Sequence, residues 1–173
     1  MTGAEEMEPG FVPVDASKFR SIMRNPVSSV AVVATGIGGN RSGCTVTAVC
    51  SLSDTPPSLV VCLNRQSTVH RAILESRQFT LNYLTESQQD DADRLAGRSG
   101  AHGDGKFMAE RWTTGPYDLP CLRNALAVLV CDLANVTEFG SHSILCGTIR
   151  EAKLQHQARP LLYGQGRYTT AAS

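Results

Sequence analysis

A β-strand that carries hydroxyls where a core strand carries Val or Ile constrains this chain most. It runs Gly43-Cys44-Thr45-Val46-Thr47-Ala48-Val49-Cys50-Ser51 and continues through Leu52-Ser53-Asp54-Thr55 to Pro56-Pro57. The β-branched residues favour extended backbone, and the two prolines impose a turn before a second strand, Ser58 to Leu63. With Thr45, Thr47 and Ser51 in its interior, the strand implies a surface that holds something polar and flat.

Charge and length narrow the classes. The 173 residues have the size of one domain with a real core. Lys plus Arg and Asp plus Glu number 16 each, so the formal charge is zero. That removes the electrostatic reason to expect nucleic acid or an anionic membrane as a partner. No apolar run approaches the length of a bilayer span, and Met1-Thr2-Gly3-Ala4-Glu5-Glu6 lacks the basic-then-apolar order of a signal peptide. A cytoplasmic globular domain is expected.

The six cysteines fit a reducing compartment. On one continuous strand Cys44 and Cys50 stand roughly 20 Å apart, far beyond the ~7 Å a disulfide spans between Cα atoms. Cys62, Cys121, Cys131 and Cys146 sit among apolar neighbours and read as small buried hydrophobes. No Cys-x-x-Cys and no His spacing suggests a metal site.

Strands dominate the remaining pattern. Residues 1–16, acidic and carrying Pro9 and Pro13, are expected to form a flexible arm, and residues 17–173 the folded domain. Ser17 is positioned to cap a helix to about Arg24, ended by Asn25-Pro26. Val27–Thr35 is β-rich, with Gly36-Ile37-Gly38-Gly39-Asn40 as its turn. Ser67 is placed to cap a helix from Thr68 to Ser76, Phe79–Leu84 reads as a strand, and Ser87–Ala96 as a polar helix. Gly97–Gly105 is a loop. Leu126–Thr137, Ser143–Glu151 and Leu161–Tyr163 complete the strands. This order suits a mainly antiparallel, closed or nearly closed barrel with flanking helices better than a doubly wound parallel sheet.

Two cofactor motifs almost form and fail. Gly100-Ala101-His102-Gly103-Asp104-Gly105-Lys106-Phe107 matches a phosphate loop until Phe107 replaces the Ser or Thr that holds magnesium, and no buried strand precedes it. Gly36-Ile37-Gly38-Gly39 lacks the third glycine and the following helix of a dinucleotide fold. A hydrolase fares no better: there is no Gly-x-Ser-x-Gly elbow, and on a strand Ser141 points away from its neighbour His142. The residues alone read His142 as a polar side chain at a strand entrance. His70, His102 and His156 read as surface histidines.

The block Thr45 to Asn64 (TVTAVCSLSDTPPSLVVCLN) closely resembles the signature of short-chain flavin reductases, the reductase components of two-component aromatic monooxygenases such as the 4-hydroxyphenylacetate 3-monooxygenase system. Asn64-Arg65-Gln66-Ser67, Phe79-Thr80-Leu81-Asn82, Lys106-Phe107, Gly140-Ser141-His142 and Pro160-Leu161-Leu162-Tyr163 follow in the family's order. The resemblance runs from about Phe19 to Tyr168. It implies an FMN-binding split β-barrel, Greek-key-like and antiparallel, that is homodimeric with the flavin at the subunit interface.

The resemblance also implies roles. Thr45, Val46, Thr47, Cys50 and Ser51 would line the bed of an isoalloxazine ring. Asn64, Arg65 and Ser67, just before a helix, would hold the flavin phosphate, since helix N-termini and Arg forks both suit phosphate; without the resemblance Arg65 is a solvated loop charge. Lys106 and Phe107 belong to the flavin side, Phe107 through its ring or edge. Pro26, Val27, Ser28 and Ser29 resemble a segment lining the flavin and pyridine-nucleotide pocket. His142 matches the histidine of a Gly-Asp-His or Gly-Thr-His triplet near the nicotinamide, with Ser141 as the altered neighbour. Hydride transfer between two flat rings needs neither nucleophile nor metal.

The implied cofactors are FMN or FAD with NADH, which the absence of a basic cluster favours over NADPH. The implied activity is an NAD(P)H-dependent flavin reductase whose reduced flavin serves a partner oxygenase. An alternative within the same fold is a corrinoid reductase resembling cob(II)yrinic acid a,c-diamide reductases of cobalamin synthesis. A non-enzymatic flavin-storage module is a third.

Overall fold

The structure is a computed structural model and describes residues 12–171, so most of the expected N-terminal arm lies outside the described residues. Its α-helices are α1 (Ala16–Met23), α2 (Thr68–Ser76) and α3 (Gln89–Leu95). The strands are β1 (Ser28–Ser29), β2 (Ala31–Thr35), β3 (Ser42–Val46), β4 (Val49–Asp54), β5 (Pro57–Asn64) and β6 (Gln78–Tyr83). After them come β7 (Trp112–Thr114), β8 (Pro120–Leu122), β9 (Ala127–Phe139), β10 (His142–Leu154), β11 (Leu161–Gly164) and β12 (Arg167–Thr170).

The main sheet has the order β3-β2-β6-β9-β10-β5-β4 and is antiparallel throughout. Its two outer strands, β3 and β4, are consecutive in the chain and separated only by Thr47-Ala48. Two residues span at most about 7 Å, so the sheet must roll until its edges nearly meet. The link continues the β4–β5 ladder, with the Cys62 N–H donating to Ala48 O at 3.0 Å. The result is a split barrel. A smaller sheet, β1-β11-β12, and the hairpin β7-β8 flank it.

The hydroxyl-rich strand is therefore two strands. Cys44 lies on β3 and Cys50 on β4, on opposite sides of the seam, rather than along one ribbon. All six thiols are free. Cys121 and Cys131 are buried as expected, whereas Cys62 and Cys146 are half-exposed, because both alternate with buried residues and so face outward. The single expected strand Val27–Thr35 also breaks. Val30 donates to Leu161 O at 2.9 Å and accepts from Leu84 N–H at 3.0 Å, handing the chain from β1 in the small sheet to β2 in the barrel.

Every residue of β2 is buried, which explains its unbroken apolar run. One face packs inside the barrel with Val61, Leu63, Phe79, Leu81 and Leu145, along with Val69 and Ile73 of α2. The other packs with Leu95 of α3, Phe107, Trp112 and Leu122. The β7-β8 hairpin and β12, which are too short for periodicity to show, cover these edges.

Local chemistry sets the helix starts. Ser67 caps α2 by accepting from His70 N–H at 3.3 Å, as its position before Thr68 suggests. The cap of α1 is Asp15 rather than Ser17: its carboxylate accepts from Lys18 N–H at 2.7 Å, and a carboxylate also meets the positive end of the helix dipole. Ser17 falls within the first turn.

Buried Asn82 ties the barrel to its flank. Its Nδ2 donates to Val32 O (3.2 Å) and Thr80 Oγ1 (2.9 Å), while its Oδ1 accepts from Leu122 N–H at 2.9 Å. Replacing it strands a buried backbone donor, at a cost of about 1–3 kcal/mol. Asn82→Ala is expected to lower the unfolding free energy in urea by about 3 kcal/mol once the lost packing is added, with the midpoint shifted and the slope unchanged.

Candidate functional site

The structure gathers part of the implied site at one end of the barrel. The last residue of β5, Asn64, pairs across the sheet with the first residue of β10, His142. Beyond that pair the Arg65 N–H donates to Ser141 O at 3.0 Å, so the turn after β5 and the turn before β10 are tied by backbone. Asn64 shapes its own turn: Oδ1 accepts from Gln66 N–H at 2.9 Å, and its carbonyl accepts from Ser67 Oγ at 2.7 Å. Ser67 then opens α2. On the other side of β5, the Thr47-Ala48 link reaches the same end, through the Ala48–Cys62 hydrogen bond.

A cleft of about 510 Å³ opens there, lined by Asn64, Arg65, Gln66, His70, Glu138, Gly140 and Ser141. Arg65 Nη2 lies 2.7 Å from Glu138 Oε2, with both side chains about half-exposed. His142 is exposed on the outer face of the sheet, and its Nδ1 is 2.9 Å from Ser141 Oγ. Ser141 therefore does touch His142, contrary to the strand-geometry expectation, because it sits in the turn rather than on the strand.

Other implied residues lie in different surroundings. Thr45 Oγ1 donates to the Ala92 carbonyl of α3 at 2.5 Å, and Val46 is a core residue. Thr47, Cys50 and Ser51 are exposed. The ring of Phe107, only 4% exposed, packs edge-on against Trp112 with centroids 4.8 Å apart. It also covers Gly43, where an added Cβ would come within 3.0 Å of it. The Arg41 guanidinium lies over the ring face, 5.0 Å from its centroid, so the ring sits in the core between that cation and Trp112. Lys106 reaches Leu95 O at 3.4 Å, a favourable place for a cation at the end of α3. Pro26 and Val27 are exposed and lie against Gly164, while Ser28 and Ser29 pair with Tyr163 and Leu162.

Electrostatics separates the two neighbourhoods. Burial pushes the Cys44 thiol up to about 11 despite the opposing charge of Lys106, so it is a protonated packing group at neutral pH. The near-miss phosphate loop is occupied internally: Arg41 binds Asp104 through Nε (2.7 Å) and Nη2 (2.8 Å). Hydrogen bonding to that guanidinium holds the Asp104 carboxyl below its ordinary range. Among the described residues no group of three His, Cys, Asp or Glu side chains could hold a metal ion.

Two residues in or beside the cleft differ from the sequence reading, which takes His70 for a surface histidine and gives Glu138 no role. His70 is 5% exposed and its Nε2 is 2.9 Å from buried Ser143 Oγ; it is not a surface histidine. The spacing of Val69, His70 and Ile73 on the buried face of α2 carries that signal. Glu138 reaches Arg65 only because of the β9–β10 register, which no local pattern reveals.

Residues 23–172 match the flavin reductase like domain. The chain belongs to that family. It is 36% identical over 171 residues to an FMN reductase (NADH) RutF of Methylorubrum extorquens, covering 98% of this chain and 82% of the relative. It is 32% identical over 151 residues to the 4-hydroxyphenylacetate 3-monooxygenase reductase component of Salmonella typhimurium, covering 87% and 89%. Among solved structures, BorF, the flavin reductase component of a bacterial two-component tryptophan halogenase, superposes with a TM-score of 0.85 at 28% identity. That superposition covers 92% of this chain and 99% of BorF. Family membership agrees with the resemblance read from residues 45–64, and the split barrel is the architecture expected from it.

The placement of Thr45 has a measurable consequence. Thr45→Val should lose about 1 kcal/mol of stability in urea, the worth of one hydrogen bond, with FMN affinity held within twofold of wild type in a fluorescence titration. Weakened affinity at unchanged stability would return this hydroxyl to the ligand.

Proposed function

We propose that the protein is an NADH-dependent flavin reductase that transfers a hydride to FMN and releases reduced flavin to a separate oxygenase component. The observation that carries this reading is the pairing of Asn64 with His142. It brings the Asn64–Ser67 turn and His142 to one sheet end, which supports a phosphate contact beside a nicotinamide contact. The family match and the names of the relatives, FMN reductase (NADH) and a monooxygenase reductase component, support it.

The residues fit such ligands. The turn Asn64–Ser67 combines a guanidinium with the N-terminus of α2, whose first backbone N–H groups have no intrahelical acceptor. Bound flavin supplies the redox chemistry, accepting a hydride from the dihydronicotinamide. The protein's share is placement. Arg65 and the α2 N-terminus hold the phosphate, exposed Thr47, Cys50 and Ser51 offer polar and polarisable contacts beside it, and His142 orients the nicotinamide. Ser141 Oγ steadies the His142 ring through Nδ1. Holding two rings at reacting distance lowers the entropic part of the barrier, and hydride transfer itself calls for no protein nucleophile.

The finer assignments are part of the same proposal. NADH is favoured over NADPH. The outer face of β4, β5 and β10 supports a homodimer: Cys50 and Cys146 both pair with Val60, and Ile144, 37% exposed, pairs with Cys62. Such an apolar row on a sheet's outer face is buried in an assembly, and His142 stands at its end, so the second copy covers the flavin.

Anaerobic NADH oxidation with excess FMN, with excess FAD, with a cobalt(II) corrinoid or with no acceptor tests the function. Turnover is expected with free flavin; turnover only with the corrinoid, or none at all, overturns the reading. His142→Ala should reduce kcat/KM for NADH about tenfold or more while changing flavin affinity less than threefold, the pattern of a lost orienting contact. Equal loss of both makes His142 structural. Ile144→Asp should convert the dimer to monomer in light scattering, because an unpaired charge is costly in an apolar interface.

A further inference from the structure

The cation offered to the flavin phosphate already has an anion on it. Arg65 Nη2 and Glu138 Oε2 are 2.7 Å apart at the mouth of the cleft. This is more than a chance meeting of two long surface side chains, because the backbone fixes both positions. Glu138 pairs with Ser143 one step before the Gly140-Ser141 turn, and Arg65 is bonded through its N–H to Ser141 O in that turn. Arg65 Nη1 also points to Gly140 O at 3.5 Å, the long end of a hydrogen bond. The carboxylate and any phosphate therefore compete for one guanidinium, within a cleft that the two charged residues share.

We propose that Glu138 is a specificity-determining residue that weakens the hold of Arg65 on the phosphate of FMN, making the flavin an exchangeable ligand instead of a fixed one. This rests on the reading of Arg65 as a phosphate contact. A phosphate entering the cleft must displace the carboxylate or lie beside it, and like charges at such separation repel even at the high effective dielectric of a surface site. Removing the charge at Glu138 leaves the Nη2 end of the guanidinium to the phosphate. A flavin without phosphate meets no such competition, so the effect is confined to the phosphorylated ligand.

Equilibrium titration by flavin fluorescence, with FMN and with riboflavin, separates the possibilities for wild type, Glu138→Gln, Arg65→Ala and the double variant at low ionic strength. Glu138→Gln is expected to tighten FMN roughly fivefold, the scale of one exposed ion pair, while riboflavin stays within twofold. The gain should shrink at high salt and vanish in the Arg65→Ala background. Glu138→Ala should shift FMN in the same direction, which guards against a local effect of the amide. Equal tightening of both flavins, or none, overturns the role of Glu138. If Glu138→Gln is silent while Arg65→Ala selectively weakens FMN, only the competitor role falls and the phosphate contact stands. If Arg65→Ala leaves both flavins at wild-type affinity, the phosphate reading falls and takes the role of Glu138 with it.

Discussion

The closure of the sheet through Thr47-Ala48 is the constraint on which the rest depends. Seven strands lie side by side, yet the first and last are joined by a two-residue link. An open, flat sheet of that width could not be bridged so briefly. Rolling it brings Thr47, Asn64 and His142 to one rim and aims the inward residues of β5, β6, β9 and β10 at a common core. The same closure leaves the outer faces of β4, β5 and β10 without cover.

Polarity in the hydroxyl-rich strand has two causes, one on each side of the link. In β3, the hydroxyl of Thr45 serves α3, offering a donor to the Ala92 carbonyl where a helix packed flat on a sheet leaves one in reach. In Thr47 and β4, the polar residues are simply at the surface. Thr45 thus has an internal partner, whereas Thr47, Cys50 and Ser51 are left exposed and open to a ligand. Phe107 follows the same logic: Gly43 lets its ring sit against β3, and Trp112 covers the edge.

The cleft end of the barrel concentrates charge without burying it. Arg65 and Glu138 are half-exposed, so their pairing contributes little to stability and remains open to exchange. The buried hydrogen bond between His70 and Ser143 behaves oppositely. It joins the first turn of α2 to β10 immediately after His142, and burial makes it costly to break. A firm support thus sits beneath a replaceable pair of surface charges, an arrangement suited to a ligand that enters and leaves.

Much of this was legible in the sequence because it is encoded locally. The hydroxyl before Thr68 marks a helix start, Pro56-Pro57 marks a turn, alternating and continuous apolar runs mark half-buried and fully buried strands, and the block from Thr45 to Asn64 marks the family. Each signal spans only a few neighbouring residues, within reach of capping, turn chemistry and side-chain alternation. Tertiary structure alone decided the break at Thr47-Ala48, the anchoring of Thr45, the core position of Phe107 and the meeting of Arg65 with Glu138. Those outcomes depend on strand register and on closure of the sheet, which join residues far apart in the chain and follow from the packing of the whole barrel.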